Sequence, residues 1–117
     1  MIHHVALEIR EDDADACIRF WAILGFSEVE PPESLRGGTR WVERGGQQIH
    51  LFLSDDPVAP PKGHAAIVAT DYDGTLERLF AAGHPIDPRP EHWGSPRAFV
   101  TDPAGHRVEV MQFAPGL

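Results

Sequence analysis

Apolar and polar residues alternate along several short stretches of this chain, and each stretch predicts a β-strand with one buried face. The clearest case is the last predicted strand, residues 106–113, in which Val108 and Val110 point one way and Glu109 points the other. The other predicted strands are residues 2–10, a strand from Phe26 to the break at Pro31-Pro32, residues 38–44, the strand after the Gly45-Gly46 turn that carries His50, and residues 64–70, 84–89 and 97–101.

Two stretches instead repeat apolar residues at helical spacing. The first covers residues 14–24, and we expect residues 11–13, Glu-Asp-Asp, to supply its acidic N-terminal caps. The second is predicted as a capped helix over residues 71–82, beginning at Asp71. Gly25 and Gly83 follow the two helices, at the position where a helix most often ends in a left-handed residue.

The two halves of the chain repeat one order of elements, displaced by about 58 to 60 residues. The matched positions are His4 and His64, Gly25 and Gly83, Trp41 and Phe99, and His50 and Glu109. We therefore predict an α+β fold of two tandem β-α-β-β-β modules, which form one curved mixed sheet, a half-barrel, with the helices on its outer face. The prediction is a single domain of residues 1–117, with module 1 at 1–53, a Pro-rich linker at 54–62 and module 2 at 63–117.

Composition limits the classes of function. The net charge of -8 argues against nucleic acid as a partner, because nucleic-acid phosphates are bound by clustered Lys and Arg. No apolar run approaches the ~20 residues of a membrane-spanning helix, so we expect no membrane partner. The single cysteine, Cys17, cannot form an internal disulfide, and a reducing cytoplasm is the simplest location.

Four potential metal ligands, His4, His50, His64 and Glu109, lie on four apolar strands. Each one points away from the apolar face of its strand. If the apolar faces pack under the helices, all four side chains face the concave side of the sheet. Neutral imidazole and carboxylate are standard ligands of Zn, Fe, Mn, Co and Ni. The shared orientation therefore predicts a metal site, although any one of these histidines taken alone is an ordinary polar residue.

Four short stretches and the repeated order of elements are typical of one protein family. The stretches are His4-Val5-Ala6-Leu7-Glu8-Ile9, Leu24-Gly25-Phe26, Gly63-His64-Ala65-Ala66-Ile67 and, most specific, Asp102-Pro103-Ala104-Gly105-His106-Arg107-Val108-Glu109-Val110. Over essentially its whole length the chain resembles the vicinal oxygen chelate superfamily, which includes glyoxalase I, fosfomycin-resistance and bleomycin-resistance proteins and extradiol dioxygenases. The resemblance implies a homodimer and one divalent metal ion per site, Zn, Ni, Co, Fe or Mn, held by His4, His50, His64 and Glu109.

The same resemblance implies a metal-dependent enzyme, a glyoxalase-like lyase or isomerase that acts on a small substrate chelated through two vicinal oxygens. Glu109 would be the catalytic base. His50 departs from the glyoxalase pattern, since many glyoxalase I enzymes have Glu at this position. Without His50, the remaining two His and one Glu suit Fe(II) and extradiol-type dioxygenation. A metal-free drug-binding protein similar to the bleomycin-resistance proteins is the alternative outside the enzymes.

Further residues are candidate contacts to the substrate: Trp41, Phe52, Phe99 and Arg97. Trp41 and Phe99 would either flank a small apolar or aromatic ligand or belong to the core. Arg97 and Arg40 would either bind an anionic substrate or be solvated charges. The loop at residues 92–95 is interpreted as a flexible lid or as an exposed turn.

Overall fold

A computed structural model describes residues 1–116, and the chain divides into two compact units, Met1–Ala59 and Pro60–Leu117. Each unit contains one α-helix and a four-stranded mixed sheet in the order β-α-β-β-β. The predicted α+β fold with a repeated module is therefore confirmed. The boundary between the units falls inside the predicted linker of residues 54–62. No helix in the described part of the chain is long and apolar enough to cross a membrane.

The first unit consists of strand β1 (His4–Ile9), helix α1 (Ala14–Ile23) and strands β2 (Ser27–Val29), β3 (Thr39–Arg44) and β4 (Gln47–Leu53). β1 is parallel to β4, and β3 pairs in antiparallel fashion with both β4 and β2. The order across the sheet is therefore β1-β4-β3-β2. A parallel pair needs a long crossover connection, which α1 and the two strands after it supply.

The second unit consists of strand β5 (Ala65–Val68), helix α2 (Tyr72–Ala81) and strands β6 (Ile86–Arg89), β7 (Arg97–Thr101) and β8 (Arg107–Met111). Its order across the sheet is β5-β8-β7-β6, with β5 parallel to β8 and the other pairs antiparallel. Equivalent strands of the two units thus have equivalent neighbours, as the sequence repeat predicts.

Helix α1 covers one face of the first sheet. Arg40 of β3 donates a hydrogen bond to Asp15 of α1 at 3.0 Å, so the even-numbered residues of β3 face the helix. Val42 on this face is fully buried, and so are Phe20 and Trp21 of α1. The odd-numbered residues of β3 point to the opposite face of the sheet, where the candidate site residues of this unit lie.

The second sheet is divided in the same way between a core face and a candidate face. The core residues of this unit are almost completely buried: Leu79, Ala98, Val100, Val108 and Val110. Phe99 and Glu109 alternate with them in β7 and β8 and therefore point to the other face. The alternation of side chains along each strand, which the sequence already shows, thus determines which residues lie on the candidate face and which lie in the core.

The ends of the two helices are only partly as predicted. Residues 11–13 form a 3₁₀ turn, and Asp13 makes no side-chain capping bond to α1, so the predicted acidic cap is wrong. The turn leaves Asp13 in a helical conformation instead of the extended one that a capping residue uses. Asp71 caps α2 as predicted, because it accepts a hydrogen bond from the N–H of Gly74. Glu33–Leu35 is a second 3₁₀ turn that the sequence pattern did not predict.

Asp102 organises the turn between β7 and β8. Its Oδ1 accepts hydrogen bonds from the backbone N–H groups of Ala104 at 3.0 Å and His106 at 2.8 Å. Its Oδ2 is buried without a hydrogen-bond partner among residues 1–116. Burial raises the pKa of the Asp102 carboxyl above its usual value, and the backbone hydrogen bonds and His106 oppose this rise only in part.

The raised pKa of Asp102 predicts a specific dependence of stability on pH. Because the folded protein binds a proton here more readily than the unfolded chain, the stability from this group is full at low pH. It is lost as the pH rises above the ordinary carboxyl pKa of 3.8 and through the raised value. Asp102→Asn keeps an Oδ1 acceptor and removes the charge. We expect the free energy of unfolding of this variant, relative to wild type, to increase in urea titrations as the pH rises above the ordinary carboxyl pKa of 3.8.

The control for this measurement is Asp56→Asn, which removes a carboxylate at an exposed position. Its relative stability should change less over the same range, because a carboxyl in water keeps nearly the same pKa after unfolding. A stability difference for Asp102→Asn that stays constant or decreases as the pH rises would contradict the role given to burial.

Candidate functional site

The parallel pairing of β5 with β8 brings His64 and Glu109 together in the second unit. Ala66 is the register partner of Glu109, and His64 directly precedes β5 on the same side. His64 Nε2 lies 3.1 Å from Glu109 Oε1. Glu109 is 7% exposed, so its carboxylate is largely removed from water and needs partners.

The partners of His64 determine how its ring is used. Its Nδ1 lies 2.8 Å from the carbonyl oxygen of Lys62. A carbonyl oxygen only accepts, so Nδ1 carries a proton and donates it. If the ring is neutral, Nε2 has a lone pair and faces the Glu109 carboxylate, so two hydrogen-bond acceptors lie next to each other. Such a contact is favourable only if a metal cation or a second proton lies between the two atoms. Imidazole with its second nitrogen bound to a carbonyl is a common arrangement for a metal ligand, so this pair fits a divalent metal.

Arg97 holds the other oxygen of Glu109. Its Nη1 is 3.3 Å from Glu109 Oε2, and its Nε donates to the Pro90 carbonyl at 2.8 Å. The side chains of Arg97 and Glu109 are only 11% and 10% exposed. Arg97 was a candidate for substrate binding, and the structure shows that it has partners within the chain that fix the orientation of the Glu109 carboxylate.

Phe99 lies beside this pair on β7. Its ring meets the His64 ring edge to face, with centroids 4.7 Å apart. The guanidinium carbon of Arg107 lies 4.0 Å from the centre of the Phe99 ring, and that of Arg89 lies 5.7 Å from it. Phe99 is half-buried, so it is a wall of the candidate face and not a core residue.

Three aromatic side chains form a stack on the equivalent face of the first unit. The rings of Trp41 and His50 are nearly parallel, with centroids 3.9 Å apart, and the His50 and His4 rings stack at 4.0 Å. The parallel pairing of β1 with β4 produces this stack, in the same way as the corresponding strands of the second unit bring His64 to Glu109. Two predicted metal ligands and one predicted substrate contact are therefore in direct contact here.

A hydrogen-bond relay determines the protonation of His50. Gln48 donates from Nε2 to Glu43 Oε1 at 2.9 Å, which directs its amide oxygen at His50 Nε2, 2.7 Å away. That oxygen only accepts, so Nε2 of His50 carries the proton and the lone pair is on Nδ1. Burial, followed by the nearby His4 and His3, lowers the pKa of His50 and keeps its ring neutral. His50 can therefore bind a metal only through Nδ1.

A cavity of about 580 Å³ opens against this stack in the first unit. Its apolar lining includes Leu35 and Phe52, which are 49% and 48% exposed. The other lining residues are His4, Ser34, Arg36, Gly38, Thr39, Trp41 and His50. A cavity of this size and composition suits a small organic molecule. The predicted substrate contacts Trp41 and Phe52 thus share one cavity.

The four predicted metal ligands occur as two pairs, His4 with His50 in the first unit and His64 with Glu109 in the second. Within residues 1–116, no group of three or more His, Cys, Asp or Glu side chains is arranged to hold a metal ion. The binding of one ion by all four residues stays a prediction.

Sequence reasoning missed several partners of these residues. Alternation places Gln48 and Arg107 on the same faces as the ligands, but it does not show what they contact. The roles of Glu43 and of the Lys62 carbonyl depend on side-chain conformation and have no signal in the pattern. Arg40, considered for anion binding, lies on the helix face, where Glu28 and Asp15 bind it and raise the pKa of its guanidinium.

The loop at residues 92–95 is tied to the segment after β8. Trp93 Nε1 donates to the Phe113 carbonyl at 2.9 Å. Ser95 is fully buried, and its Oγ accepts from the N–H groups of Gln112 at 3.1 Å and Phe113 at 3.2 Å. These bonds fix the loop at both Trp93 and Ser95, which supports the turn interpretation over the flexible lid.

Comparison with known proteins agrees with this architecture. The model of the Glyoxalase/Bleomycin resistance protein/Dioxygenase superfamily matches residues 1–110. A glyoxalase family protein from Bacillus anthracis is 25% identical, with 95% of this chain and 93% of that chain covered and a TM-score of 0.84. Lactoylglutathione lyase from Agrobacterium tumefaciens is 26% identical, with 95% and 92% covered and a TM-score of 0.72.

The fold is also shared by the fosfomycin resistance protein FosX from Mesorhizobium loti, which is 19% identical, with 97% of this chain and 92% of that chain covered and a TM-score of 0.72. At this identity the likeness concerns the fold alone. A search of curated proteins found none with significant similarity to the chain.

The relay through Gln48 predicts the tautomer of His50. In wild-type protein we expect long-range ¹H–¹⁵N correlation spectra to show His50 protonated at Nε2, because the Gln48 oxygen accepts from that atom. Gln48→Leu removes this acceptor and should let Nδ1-protonated His50 appear. Wild-type His50 with its proton on Nδ1 would contradict the relay and the restriction on metal binding that follows from it.

Proposed function

Because the chain belongs to the glyoxalase/bleomycin resistance protein/dioxygenase superfamily, we propose that it is a metal-dependent enzyme with glyoxalase-like lyase or isomerase chemistry. Its substrate would be a small molecule that presents two adjacent oxygen atoms. The observation that carries this proposal is the pairing of His64 Nε2 with Glu109 Oε1, since the bond from His64 Nδ1 to the Lys62 carbonyl leaves Nε2 facing a carboxylate oxygen.

His64 and Glu109 are proposed to hold the metal in the second unit, and His4 and His50 are the further ligands that the sequence predicts. A bound divalent metal would act as a Lewis acid that stabilises negative charge developing on the two substrate oxygens. The donor types suit this task, because imidazole and carboxylate bind Zn, Ni, Co, Fe and Mn. The Lys62 carbonyl would hold the His64 ring in the tautomer that a ligand needs.

Glu109 is the proposed catalytic base. A carboxylate on this face can take a proton from one carbon of the substrate and return it to the adjacent carbon, which is the net change in an isomerisation. Arg97 bonds to Oε2 and so fixes the plane of the carboxylate, and the burial of both side chains excludes water from the proton transfer. A base that is held in one orientation loses little freedom when the substrate binds.

The relay at His50 leaves only Nδ1 for a metal, and this restriction favours an alternative within the enzymes in which His50 is not a ligand. The ligand set would then be His4, His64 and Glu109. Two histidines and one carboxylate are the arrangement suited to Fe(II) and to extradiol-type oxygenation. The identity of the bound metal distinguishes this alternative from lyase or isomerase chemistry.

The cavity of the first unit favours a second candidate function, the binding of a drug-like molecule without a metal. Leu35, Phe52 and the Trp41 ring provide apolar surface, which binding proteins of the bleomycin-resistance kind would use. In this function the His4–His50 stack would be part of the wall and not a ligand set.

Metal content tests the proposed function. We expect wild-type protein to contain roughly one metal ion per chain by elemental mass spectrometry, because His64 and Glu109 offer fixed ligands. His64→Ala and Glu109→Ala should each lose most of this metal. Iron in the wild-type protein would favour oxygenation, whereas zinc, nickel or cobalt would favour lyase or isomerase chemistry.

The control is His92→Ala, which removes an exposed imidazole from a loop and should leave the metal content unchanged. His50→Ala in the same series decides whether His50 is a fourth ligand. Wild-type protein that stays empty after incubation with each of these metals would contradict the enzyme proposal and favour the metal-free binder.

A further inference from the structure

The candidate face of the second unit carries an excess of positive charge in a chain whose net charge is -8. Three guanidinium groups lie on this face: those of Arg89 and Arg107 are over the Phe99 ring, and that of Arg97 contacts the Glu109 carboxylate. Two of them have carboxylate partners at 3.3 Å, Arg89 with Asp87 and Arg97 with Glu109. Arg107 has no carboxylate within ion-pair distance among residues 1–116. The excess charge on this face is therefore that of Arg107.

Arg107 is nevertheless held in place. Its guanidinium lies over the Phe99 ring, 4.0 Å from the centre, and Nη1 donates a long hydrogen bond of 3.4 Å to the Pro61 carbonyl. The side chain is half-buried, so these contacts limit its freedom. A planar guanidinium has five N–H donors, and most of those of Arg107 have no acceptor in the described part of the chain. The guanidinium of Arg107 is therefore held in one place with N–H donors available, which is the arrangement that binds an anion.

The repeat shows that the fold does not need an arginine at this position. Gln48 is the equivalent residue of the first unit, because it lies two residues before His50 as Arg107 lies two residues before Glu109. The two residues also occupy equivalent register positions, Gln48 opposite Glu43 and Arg107 opposite Thr101. Gln48 forms a neutral relay, whereas Arg107 carries a charge that no carboxylate of residues 1–116 balances.

We propose that Arg107 is the anchor of an oxyanion-binding site on the candidate face of the second unit, beside His64 and Glu109. The ligand is the carboxylate or phosphate group of a small molecule, since a guanidinium binds both through paired N–H donors. Phe99 orients Arg107 by stacking, and Arg89, 5.7 Å from the centre of the same ring, adds positive potential there. The identification of this ligand as part of the substrate rests on the proposed function, and the binding site itself does not.

A purely structural role for Arg107 would be the stacking on Phe99 alone. Arg107→Gln separates the two roles, because it copies the residue that the first unit uses at this position and should fold. Arg107→Lys keeps the charge but loses the planar pair of donors, so it should bind an anion more weakly than wild type. Arg19→Gln is the charge-matched control, since Arg19 is exposed on α1 in the other unit.

The experiment is a ¹H–¹⁵N correlation titration of the full chain with acetate, inorganic phosphate and, as a neutral comparison, acetamide, all at constant ionic strength. It is run on the protein as isolated and after metal removal with a chelator. We expect saturable shifts at amides around residues 62–64, 99–101 and 107–109, with a Kd below about 10 mM for the preferred anion. The anion that binds more tightly, acetate or phosphate, identifies the group recognised.

In Arg107→Gln the Kd should be weaker by about tenfold or more, and in Arg19→Gln it should match wild type. Three results would each overturn the proposal. They are shifts with acetamide as large as those with the anions, a Kd in Arg19→Gln as weak as that in Arg107→Gln, and a wild-type Kd in Arg107→Gln. Metal content, measured on the same samples, should not change in Arg107→Gln. Anion binding by wild-type protein that takes up no metal, even after incubation with each of the proposed metals, would support this site and contradict the proposed enzyme. Metal uptake without anion binding would contradict this site alone, so the two failures are distinguishable.

Discussion

The parallel pairing between the first and last strand of each unit is the constraint on which the candidate site depends. In the second unit this pairing aligns Ala66 with Glu109 and so brings His64 to the carboxylate. In the first unit the equivalent pairing aligns Ala6 with His50 and stacks His50 on His4. A shift of one residue in either register would turn Glu109 or His50 toward the helix, because side chains alternate between the faces of a strand. The apolar residues on either side of each ligand prevent that shift.

Strand alternation and the internal repeat made much of the fold readable from the sequence. Val108 and Val110 on both sides of Glu109 predicted which face that carboxylate occupies, and their burial agrees. The offset between His4 and His64 predicted two modules, and the two sheets have equivalent strand orders. These features follow from local periodicity, which depends only on the order of residues along the chain.

The contacts within each face were not readable in the same way. The bond from Gln48 to His50 and the ion pair of Arg97 with Glu109 depend on which rotamers long side chains adopt. Such choices are decided by neighbours on other strands, so they leave no periodic signal. The acidic residues before α1 show a similar limit, because their composition suits a cap while the 3₁₀ backbone prevents it.

The two units have diverged in charge while keeping one architecture. The first carries an aromatic stack beside an apolar cavity, and its His50 is kept uncharged by burial and by neighbouring histidines. The second carries a charged cluster in which Arg97 pairs with the Glu109 carboxylate and two further arginines lie over the Phe99 ring. A repeated module can keep its core and vary its exposed face, since one fold can carry different functional sites. The enzyme proposed for this chain relies on this difference in charge, because its catalytic base is the Glu109 carboxylate of the second unit.

The most direct test of the account follows the two ring nitrogens of His64 by ¹⁵N spectroscopy while Zn²⁺ is added to metal-free protein. The account predicts that Nε2 changes to the resonance of a metal-bound nitrogen, while Nδ1 keeps the proton that it donates to the Lys62 carbonyl. In Glu109→Ala this change should require a much higher Zn²⁺ concentration. A His64 Nε2 resonance that does not respond to Zn²⁺ in wild-type protein would contradict the claim that this pair is a metal site.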